Sequence, residues 1–373
     1  MKGPARIALA AGGTGGHMFP AEALASELLS RGHAVSLITD RRGGGFGDRL
    51  AAVELHRISA GGLAGTGIVG RAQGVVQLGL GFFQARGLLG RLAPGVVVGF
   101  GGYASVPTVF AASFSGIPTV LHEQNAVLGR ANKLLAKRAT RIATSFTSVA
   151  GIAAADRAVL TGNPVRPAIA ALAPEPYVPI APDGEIHLLV VGGSLGARVF
   201  GRLVPEALAA LPEALRRRLR LVQQVRAEDL DSVRATYAKQ GTAAELAPFF
   251  SDIPERLRAA HLVIARAGAS TVAELAAAGR PAILVPFPYA TDDHQTANAR
   301  SMEAAGAAWL MPESATPPAL LAERLTALLA DPAALARAAE AASRQGRLDA
   351  AARLADLVIS LLRSNGSSRK EAA

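Results

Sequence analysis

The 373-residue sequence contains no cysteine. A chain without thiols forms no disulfide, has no thiolate metal ligand and offers no cysteine nucleophile. This absence is compatible with a reducing compartment. The N-terminal residues, MKGPARIALAAGGTGG, also lack a long apolar segment before glycines interrupt them. We therefore expect no signal peptide.

Aromatic residues are scarce as well, at 5% of the chain, and the charged residues, at 18%, carry a net charge of +10. A basic protein favours polyanionic partners, which include nucleic acid, anionic lipid and phosphorylated substrates. Single strands of nucleic acid are usually bound by aromatic side chains interleaved with basic ones, a pattern that the sequence lacks. We therefore expect a phosphorylated or lipid partner and no nucleic acid.

Groupings of metal-ligand residues are also few. Asp292 and Asp293 are adjacent, but no second group of ligand residues accompanies them, and acidic residues before a helix more often interact with its N-terminal dipole. The first glycine-rich segment departs from a dinucleotide-binding fingerprint, because the third glycine expected after Gly13 and Gly15 is Met18. The sequence therefore predicts no metal ion and no cofactor.

The chain contains two similar halves. Strands and helices alternate in each half, and a glycine-rich turn follows the first strand of each, at Gly12–His17 and at Gly192–Arg198. A proline-rich stretch from Pro164 to Pro182 separates the halves. This pattern predicts an α/β protein of two Rossmann-like doubly wound domains with an interdomain cleft.

The stretch Val263–Gly279, VIARAGASTVAELAAAG, has the clearest chemistry. It predicts a buried strand, a turn at Gly268 and a helix, for which Gly279 suits the C′ position. The first backbone N–H groups of such a helix converge on one spot that favours a phosphate. Glu274 follows one turn later. It forms a capping box with Thr271 as the N-cap, contacts a bound ligand, or does both.

The segment Ile68–Leu92 combines apolar residues with arginines. Between Arg71 and Arg86 it is too short and too interrupted to span a bilayer. Two interpretations remain open: a helix packed on the sheet, or an amphipathic helix that presents apolar side chains to a membrane surface, with the arginines at the headgroups. The apolar side chains in question are Val75, Val76, Leu80, Phe82 and Phe83.

Eight motifs follow one another along the chain: GGTGGH (12–17), GGY (101–103), HEQN (122–125), TGNPVR (161–166), GGSLGAR (192–198), FFSDI (249–253), ARAGASTVAE (265–274) and DDHQTANA (292–299). Each motif is weak alone, but the ordered set closely resembles the MurG family. Members of this family are bacterial peptidoglycan transferases that move N-acetylglucosamine from UDP to undecaprenyl-pyrophosphoryl-muramoyl-pentapeptide. The resemblance covers Ala8 to about Gly306.

The resemblance implies a GT-B fold. Residues 1–163 would form a domain for the lipid acceptor and for membrane association, and residues 164–340 a domain for the UDP-sugar. Residues 341–373 would form a helix that packs back on the N-terminal domain, followed by a polar tail. The resemblance also implies that the enzyme needs no chelated metal.

The resemblance further implies a location and partners. MurG proteins lie peripherally on the cytoplasmic face of the bacterial inner membrane, held by an apolar patch ringed with basic residues, which favours the membrane interpretation of residues 75–83. The implied partners are UDP-N-acetylglucosamine, the undecaprenyl-linked acceptor lipid and an anionic membrane surface. Other cell-wall synthesis proteins are further candidates.

Donor-binding roles follow by the same resemblance. The backbone of Ile253 would contact uracil, the Glu274 carboxylate the ribose hydroxyls, and the amides of Gln295 and Asn125 the sugar. These groups suit such partners, since a carboxylate accepts from hydroxyls and amides bond neutral sugars. The other implied donor contacts are Arg166, Ser194 and, along the diphosphate, Gly268, Ala269, Ser270 and Thr271.

The inferred reaction is inverting: the muramoyl 4-hydroxyl attacks the anomeric carbon and UDP departs. It needs a base for the hydroxyl proton. His17 is the first candidate because the pKa of histidine ordinarily lies near neutrality. The alternative for His17 is a helix-start residue bonded to backbone, and Glu123 is the second candidate base. The residues implied near the transferred sugar and the acceptor pyrophosphate are Thr14, Gly15 and Gly16, and Tyr103 is a further implied substrate contact.

Two positions depart from the family pattern. Leu195 replaces the usual glutamine, and Arg226 replaces the glycine that usually follows Gln224 by two residues. Two other hypotheses stay open, and these departures support only the second. One is another GT-B enzyme that uses a UDP-sugar, such as a glycolipid synthase or a UDP-N-acetylglucosamine epimerase. The other is a membrane module that binds nucleotide-sugar without turnover.

Overall fold

The computed structural model describes residues 5–12, 15–40, 50–61, 68–153, 155–172, 175–193 and 197–368. The predicted site residues Thr14 and Ser194, and the departure at Leu195, lie outside the described residues. The chain divides into two compact units. The first comprises residues 1–165 and 349–373, and the second comprises residues 166–348.

The first unit is built on a sheet of seven parallel strands: β1 (Arg6–Ala10), β2 (Ala34–Thr39), β3 (Glu54–Arg57), β4 (Val96–Gly99), β5 (Thr119–Glu123), β6 (Arg141–Thr144) and β7 (Ala158–Leu160). Its helices before the second unit are α1 (Gly15–Ser30), α2 (Ile68–Leu92), α3 (Ser105–Phe114) and α4 (Arg130–Leu135). The strand order is β3-β2-β1-β4-β5-β6-β7, which reverses between β1 and β4 as in a doubly wound sheet.

The second unit has six parallel strands: β8 (Ile186–Val191), β9 (Leu219–Gln224), β10 (Ala244–Ala247), β11 (Leu262–Ala265), β12 (Ala282–Leu284) and β13 (Ala308–Leu310). Its helices are α5 (Pro167–Ala170), α6 (Phe200–Ala209), α7 (Glu213–Arg218), α8 (Leu230–Lys239), α9 (Ile253–Ala259), α10 (Ala269–Ala277), α11 (His294–Ala304), α12 (Pro318–Leu329) and α13 (Pro332–Gln345). The strand order is β10-β9-β8-β11-β12-β13, with the reversal between β8 and β11.

Helices cover both faces of the first sheet, so the strands are apolar almost throughout. On β1, Ile7 and Leu9 belong to the core shared with α1, and Ala8 between them belongs to the core shared with α2 and α3. The last helix, α14 (Ala350–Ser368), is part of the first unit. It packs on α1 and β4 through Leu354 and Val358, which are fully buried.

Several sequence-based boundaries differ from the structure. The sequence predicts a strand and turn over Pro248–Ile253, and the strand is wrong, because β10 is Ala244–Ala247 and ends before Pro248. Proline is common in the first turn of a helix, so the sequence predicts a helix start near Pro20, but α1 begins earlier, at Gly15, and contains Pro20. The apolar runs of the sequence predict strands over Arg6–Ala10, Ala34–Thr39 and Ile186–Val191, and β1, β2 and β8 have these bounds.

No helix within the described residues has both the length and the apolar character needed to cross a bilayer. In that same part of the chain, no three histidine, aspartate or glutamate side chains lie where they could share a metal ion.

Candidate functional site

The turn after β11 has the form that the sequence predicted, with one correction. Gly268 is the N-cap of α10, in extended conformation, and Gly279 has φ +60° just beyond the helix, as a C′ glycine should. The capping-box interpretation is wrong, because the helix begins at Ala269, two residues before Thr271. The Ser270 Oγ is buried at this helix end without a hydrogen-bond partner.

Glu274 and Arg166 lie 108 positions apart in sequence and form a bidentate ion pair. The Arg166 Nε donates to Oε1 of Glu274 at 2.8 Å, and Nη2 donates to Oε2 at 3.0 Å. The Glu274 side chain is 15% exposed and that of Arg166 is 37% exposed. Arg166 immediately precedes α5, which packs on α10. Arg166 and Glu274, both predicted to contact the sugar donor, are therefore in contact with each other beside the second turn of α10.

Gln295 supports the same turn from α11. Its Oε1 accepts from the backbone N–H of Ala267 at 3.2 Å and of Phe287 at 2.9 Å. Asn298, one turn further along α11, donates to the Ala267 carbonyl oxygen at 3.0 Å. The carbonyl oxygen of the Gln295 amide is thus committed to the protein, and its nitrogen is the atom suited to contact a ligand.

The buried Arg266 has a structural role that sequence reasoning missed. Its Nη1 donates to the carbonyl oxygens of Val285 at 3.1 Å and Pro286 at 3.0 Å, and its Nη2 lies 2.6 Å from Glu313. The guanidinium thereby fixes the loop that leads to Gln295. A basic residue directly after a buried strand was the available signal.

Ile253, the predicted uracil contact, begins α9, and the loop before it is held by Arg256. The Arg256 guanidinium donates to Asp252 at 2.8 Å and to both oxygens of Glu245 at 2.6 and 2.9 Å, and it lies 4.1 Å from the Phe250 ring centroid. It lowers the pKa of Glu245 and of Asp252. The charge cluster therefore stabilises one conformation of the FFSDI loop.

The departure at Arg226 does not strain the backbone. Arg226 has φ −60° and ψ 145°, an ordinary extended conformation that requires no glycine. The preceding residue, Val225, is buried and donates its N–H to the Ala247 carbonyl oxygen at 3.0 Å. A residue other than glycine is thus accommodated here.

In the first unit, the first turn of α1 and the GGY motif meet. The Gly12 N–H donates to the Gly101 carbonyl oxygen at 3.1 Å. Gly101 and Gly102 have φ of +93° and +77°, and a Cβ added to Gly101 would lie 3.0 Å from Nε2 of His17. The His17 ring therefore rests on a backbone that only glycine can form. Gly15 and Gly16 begin α1, and Tyr103 directly follows Gly102.

Glu123 is 1% exposed, and both carboxylate oxygens accept hydrogen bonds within the protein. Its Oε1 accepts from the N–H and the Nδ2 of Asn125 at 3.0 and 3.3 Å. Its Oε2 accepts from the Gly129 N–H and from Asn132 Nδ2, both at 2.8 Å. These bonds hold the loop that carries Asn125 and the start of α4, which favours a structural role for Glu123 over that of a base.

His122 is also committed within the protein. Its Nε2 lies 3.1 Å from the Gly162 carbonyl oxygen, and Gln124 Nε2 lies 3.1 Å from its Nδ1. These partners assign the proton to Nε2, which donates to Gly162. Burial lowers the pKa of His122 to about 4, so the ring is neutral.

Helix α2 packs on the sheet with one face and exposes apolar side chains on the other, so the structure is compatible with both interpretations of its sequence. One face, with Leu88 and Leu89, is buried in the core. The other exposes Val75 and Val76 at 61% each, Leu80 at 53% and Phe83 at 71%. The neighbouring α3 adds an exposed Phe114, which contacts Phe82 and lies 4.5 Å from the Arg138 guanidinium. Phe82 is partly buried, and its ring contacts those of Phe83 and Phe114. We call Val75, Val76, Leu80, Phe83 and Phe114 the apolar patch.

The structure contains two doubly wound units. One of them has a helix N-terminus suited to a phosphate and a carboxylate one turn beyond it. Together these features define an α/β protein with the fold of GT-B glycosyltransferases. The glycosyltransferase family 28 N-terminal domain matches residues 7–144, and the glycosyltransferase family 28 C-terminal domain matches residues 187–354. The crystal structure of MurG from Acinetobacter baumannii is similar over 96% of this chain and 100% of its own, with 30% identity and a TM-score of 0.78.

Relatives in sequence agree. A Rhodospirillum centenum protein, UDP-N-acetylglucosamine--N-acetylmuramyl-(pentapeptide) pyrophosphoryl-undecaprenol N-acetylglucosamine transferase, is 60% identical over 95% of this chain and 94% of its own. A protein of the same name from Rhodospirillum rubrum is 60% identical over 95% of this chain and 92% of its own. The chain belongs to the MurG family of glycosyltransferases, which confirms the family, the fold class and the enzyme class that the eight motifs predicted.

Proposed function

We propose that this protein transfers N-acetylglucosamine from UDP-N-acetylglucosamine to the muramoyl 4-hydroxyl of undecaprenyl-pyrophosphoryl-N-acetylmuramoyl-pentapeptide, with inversion. The observation that carries the proposal is the start of α10, where an open helix N-terminus precedes the Glu274–Arg166 pair. A nucleoside diphosphate offers the two complementary groups, an anion for the helix end and a diol for the carboxylate. The printed name shared by the relatives supports the sugar and the acceptor.

In this proposal each part of the donor is bound by its own set of protein groups. The uracil bonds the backbone of Ile253, the diphosphate bonds the N–H groups of residues 268–271, and the ribose hydroxyls donate to Glu274. Ser194 adds a further donor contact. The sugar takes its hydrogen bonds from the nitrogens of Gln295 and Asn125, which suits the two bonds that the Gln295 oxygen makes to backbone.

His17 removes the proton from the attacking hydroxyl as the new glycosidic bond forms. Residues 14–16 and Tyr103 hold the acceptor beside it. Glu123, whose oxygens accept four hydrogen bonds, positions the Asn125 loop instead of acting as the base. As the bond to UDP breaks, negative charge grows on the β-phosphate. The dipole of α10 and the Arg166 guanidinium stabilise that charge.

The protein acts from the cytoplasmic face of the bacterial inner membrane as a peripheral protein. The apolar patch supports this location, because four of its side chains lie along one exposed helix face. Basic residues beside the patch, such as Arg86 and Arg138, suit anionic headgroups.

The test is transfer of labelled N-acetylglucosamine from its UDP donor to a short-chain analogue of the acceptor lipid, with and without EDTA. We expect the same yield of disaccharide-lipid in both arms. A third arm omits the acceptor and follows conversion of the UDP-sugar to its 2-epimer. Epimer without disaccharide would favour the epimerase, and UDP binding without either product would favour a binding module. Loss of product with EDTA alone would contradict the metal-independent mechanism.

A further inference from the structure

Three neighbouring strands of the second unit, β10, β9 and β8, end at one edge of the sheet, and Gln224 is the last residue of the middle strand. The backbone ladder stops at this level: the last β8 pair is Val190 with Gln223, and the last β10 pair is Ala247 with Gln224. Beyond it, the chain continues into the glycine turn after β8 on one side and the FFSDI loop after β10 on the other.

The Gln224 side chain bonds both of these segments. The Gly192 N–H donates to its Oε1 at 3.1 Å. Its Nε2 donates to the Gly193 carbonyl oxygen at 3.2 Å and to the Pro248 carbonyl oxygen at 3.1 Å. One half-buried amide thus uses its acceptor and both of its donors on backbone groups that lie past the end of the ladder.

The segments joined in this way begin the two loops to which we assign donor contacts. Gly193, with φ +81°, opens the glycine turn, and Pro248 opens the loop that ends at Ile253. We name Gly192–Gly193 and Pro248–Ile253 the donor loops. We propose that Gln224 is a positioning residue that sets the spacing between the donor loops, and so makes one nucleotide able to bridge them. This inference rests on the proposed function, because it takes UDP as the bridging ligand.

The neighbouring Gln223 provides an internal comparison. Its side chain lies on the other face of β9, where it is fully buried. It donates to the Phe200 carbonyl oxygen at 3.0 Å and accepts from the Tyr237 hydroxyl at 2.5 Å. This second amide binds α6 and α8 to the sheet and touches neither donor loop. Tyr237→Phe therefore weakens the same strand without altering the spacing of the loops.

The test compares ligands that bridge the loops with ligands that do not. Gln224→Glu retains the acceptor for Gly192 but sets a carboxylate against two carbonyl oxygens, and Gln224→Met removes the polar group altogether. The dissociation constants of UDP, uridine and inorganic pyrophosphate are measured by competition with a labelled donor. We expect UDP to bind both variants about tenfold to a hundredfold more weakly, while uridine and pyrophosphate bind within a factor of about three of wild type.

Turnover separates positioning from a general loss of structure. In both variants the KM for the donor should rise with UDP dissociation, while kcat at saturating donor stays close to wild type. Tyr237→Phe should lower thermal stability and leave all three dissociation constants unchanged. Wild-type UDP affinity in both Gln224 variants, or a parallel loss for UDP, uridine and pyrophosphate, would overturn the inference. A wild-type protein that fails to bind UDP would instead overturn the proposed function.

Discussion

At the residue scale, the Glu274 carboxylate has two sets of hydrogen-bond partners, one in the structure and one in the proposed complex. In the structure both of its oxygens accept from Arg166, and in the proposed complex they also accept from the ribose. Glu274→Gln keeps the shape and removes the charge. Since a hydrogen bond to a charged group contributes about 1.5–3 kcal/mol, UDP affinity should fall about tenfold to a hundredfold. Calorimetric titration with UDP measures the change.

Glu323→Gln is the matched control for that titration, because Glu323 is exposed on α12 in the same unit. It should bind UDP as wild type does. Equal UDP affinity in the Glu274 variant and the control would exclude a ribose contact for Glu274.

His17 and Glu123 were both candidate bases, and their surroundings predict different losses. Removal of a general base typically lowers turnover by about 10²–10⁴-fold, so His17→Ala should lose kcat by this amount and keep UDP affinity. Glu123→Gln should chiefly lose stability, by about 4–10 °C in melting temperature, because charge-assisted bonds to the Asn125 loop are weakened. Steady-state kinetics and thermal unfolding of both variants distinguish the roles. The reverse pattern would make Glu123 the base.

Some residue roles were readable from sequence and others were not. Gly268 and Gly279 mark a turn and a helix end by local chemistry alone, so their conformations were predictable. The partners of Glu123 were not, because Asn132 lies nine positions away and is brought close only when α4 folds beside β5. Thr271 shows an error of another kind. It fits a local capping motif, but Gly268 is the N-cap and the helix already begins at Ala269.

At the element scale, β5 is tied to the segment after β7 by the hydrogen bond from His122 to Gly162. Burial lowers the pKa of His122 to about 4, below the ordinary histidine value of 6.5. Between pH 6.5 and 4 the unfolded chain binds a proton at this residue that the folded chain does not. The stabilisation is therefore complete above pH 6.5 and is lost progressively as the pH falls toward 4.

We expect this histidine to add about 1.4 kcal/mol per pH unit to the acid dependence of unfolding. His122→Gln keeps a donor for the Gly162 carbonyl oxygen and removes the titration. Denaturant unfolding at pH 7, 6 and 5 should thus show a shallower pH dependence for the variant. An unchanged slope would show that His122 does not titrate differently in the folded and unfolded chains.

The boundaries of elements were predictable where a strand is buried on both faces. The run of β8, IHLLVV, ends at two glycines, and no alternative assignment competes with it. Strand β10 reads AELA and is only partly buried, so its apolar signal is weaker than that of the Phe249-Phe250 pair beyond it. The error at β10 followed from hydrophobicity that belongs to a loop, where Phe250 packs on Arg256.

At the scale of the whole molecule, the first unit is completed by a segment remote in sequence. Helix α14 packs on α1, and Arg31, which directly follows α1, bonds Asp356 and the Ala352 carbonyl oxygen of α14. The amphipathic pattern of this segment predicts a helix, but its packing partner was available only through the family resemblance. Periodicity specifies which face of a helix is buried and leaves open which surface covers it.

The apolar patch gives the prediction that concerns the molecule as a whole. Burial of an exposed apolar side chain contributes about 1.5–3 kcal/mol when it is complete. Phe83→Asn should therefore weaken binding to vesicles that contain an anionic lipid by about tenfold. Higher salt should weaken the binding of wild type and variant alike, because the basic residues beside the patch act through screened charges. Vesicle co-sedimentation over a range of lipid concentrations measures both effects.

Val178→Asn is the matched control, since Val178 is 69% exposed in the second unit, close to the 71% of Phe83. If the patch is the membrane surface, Val178→Asn binds vesicles as wild type does, and Phe83→Asn retains transfer to a short-chain acceptor that needs no membrane. A Phe83 variant that binds vesicles normally would contradict this surface. So would equal losses in the two variants, because general hydrophobicity would then account for the binding.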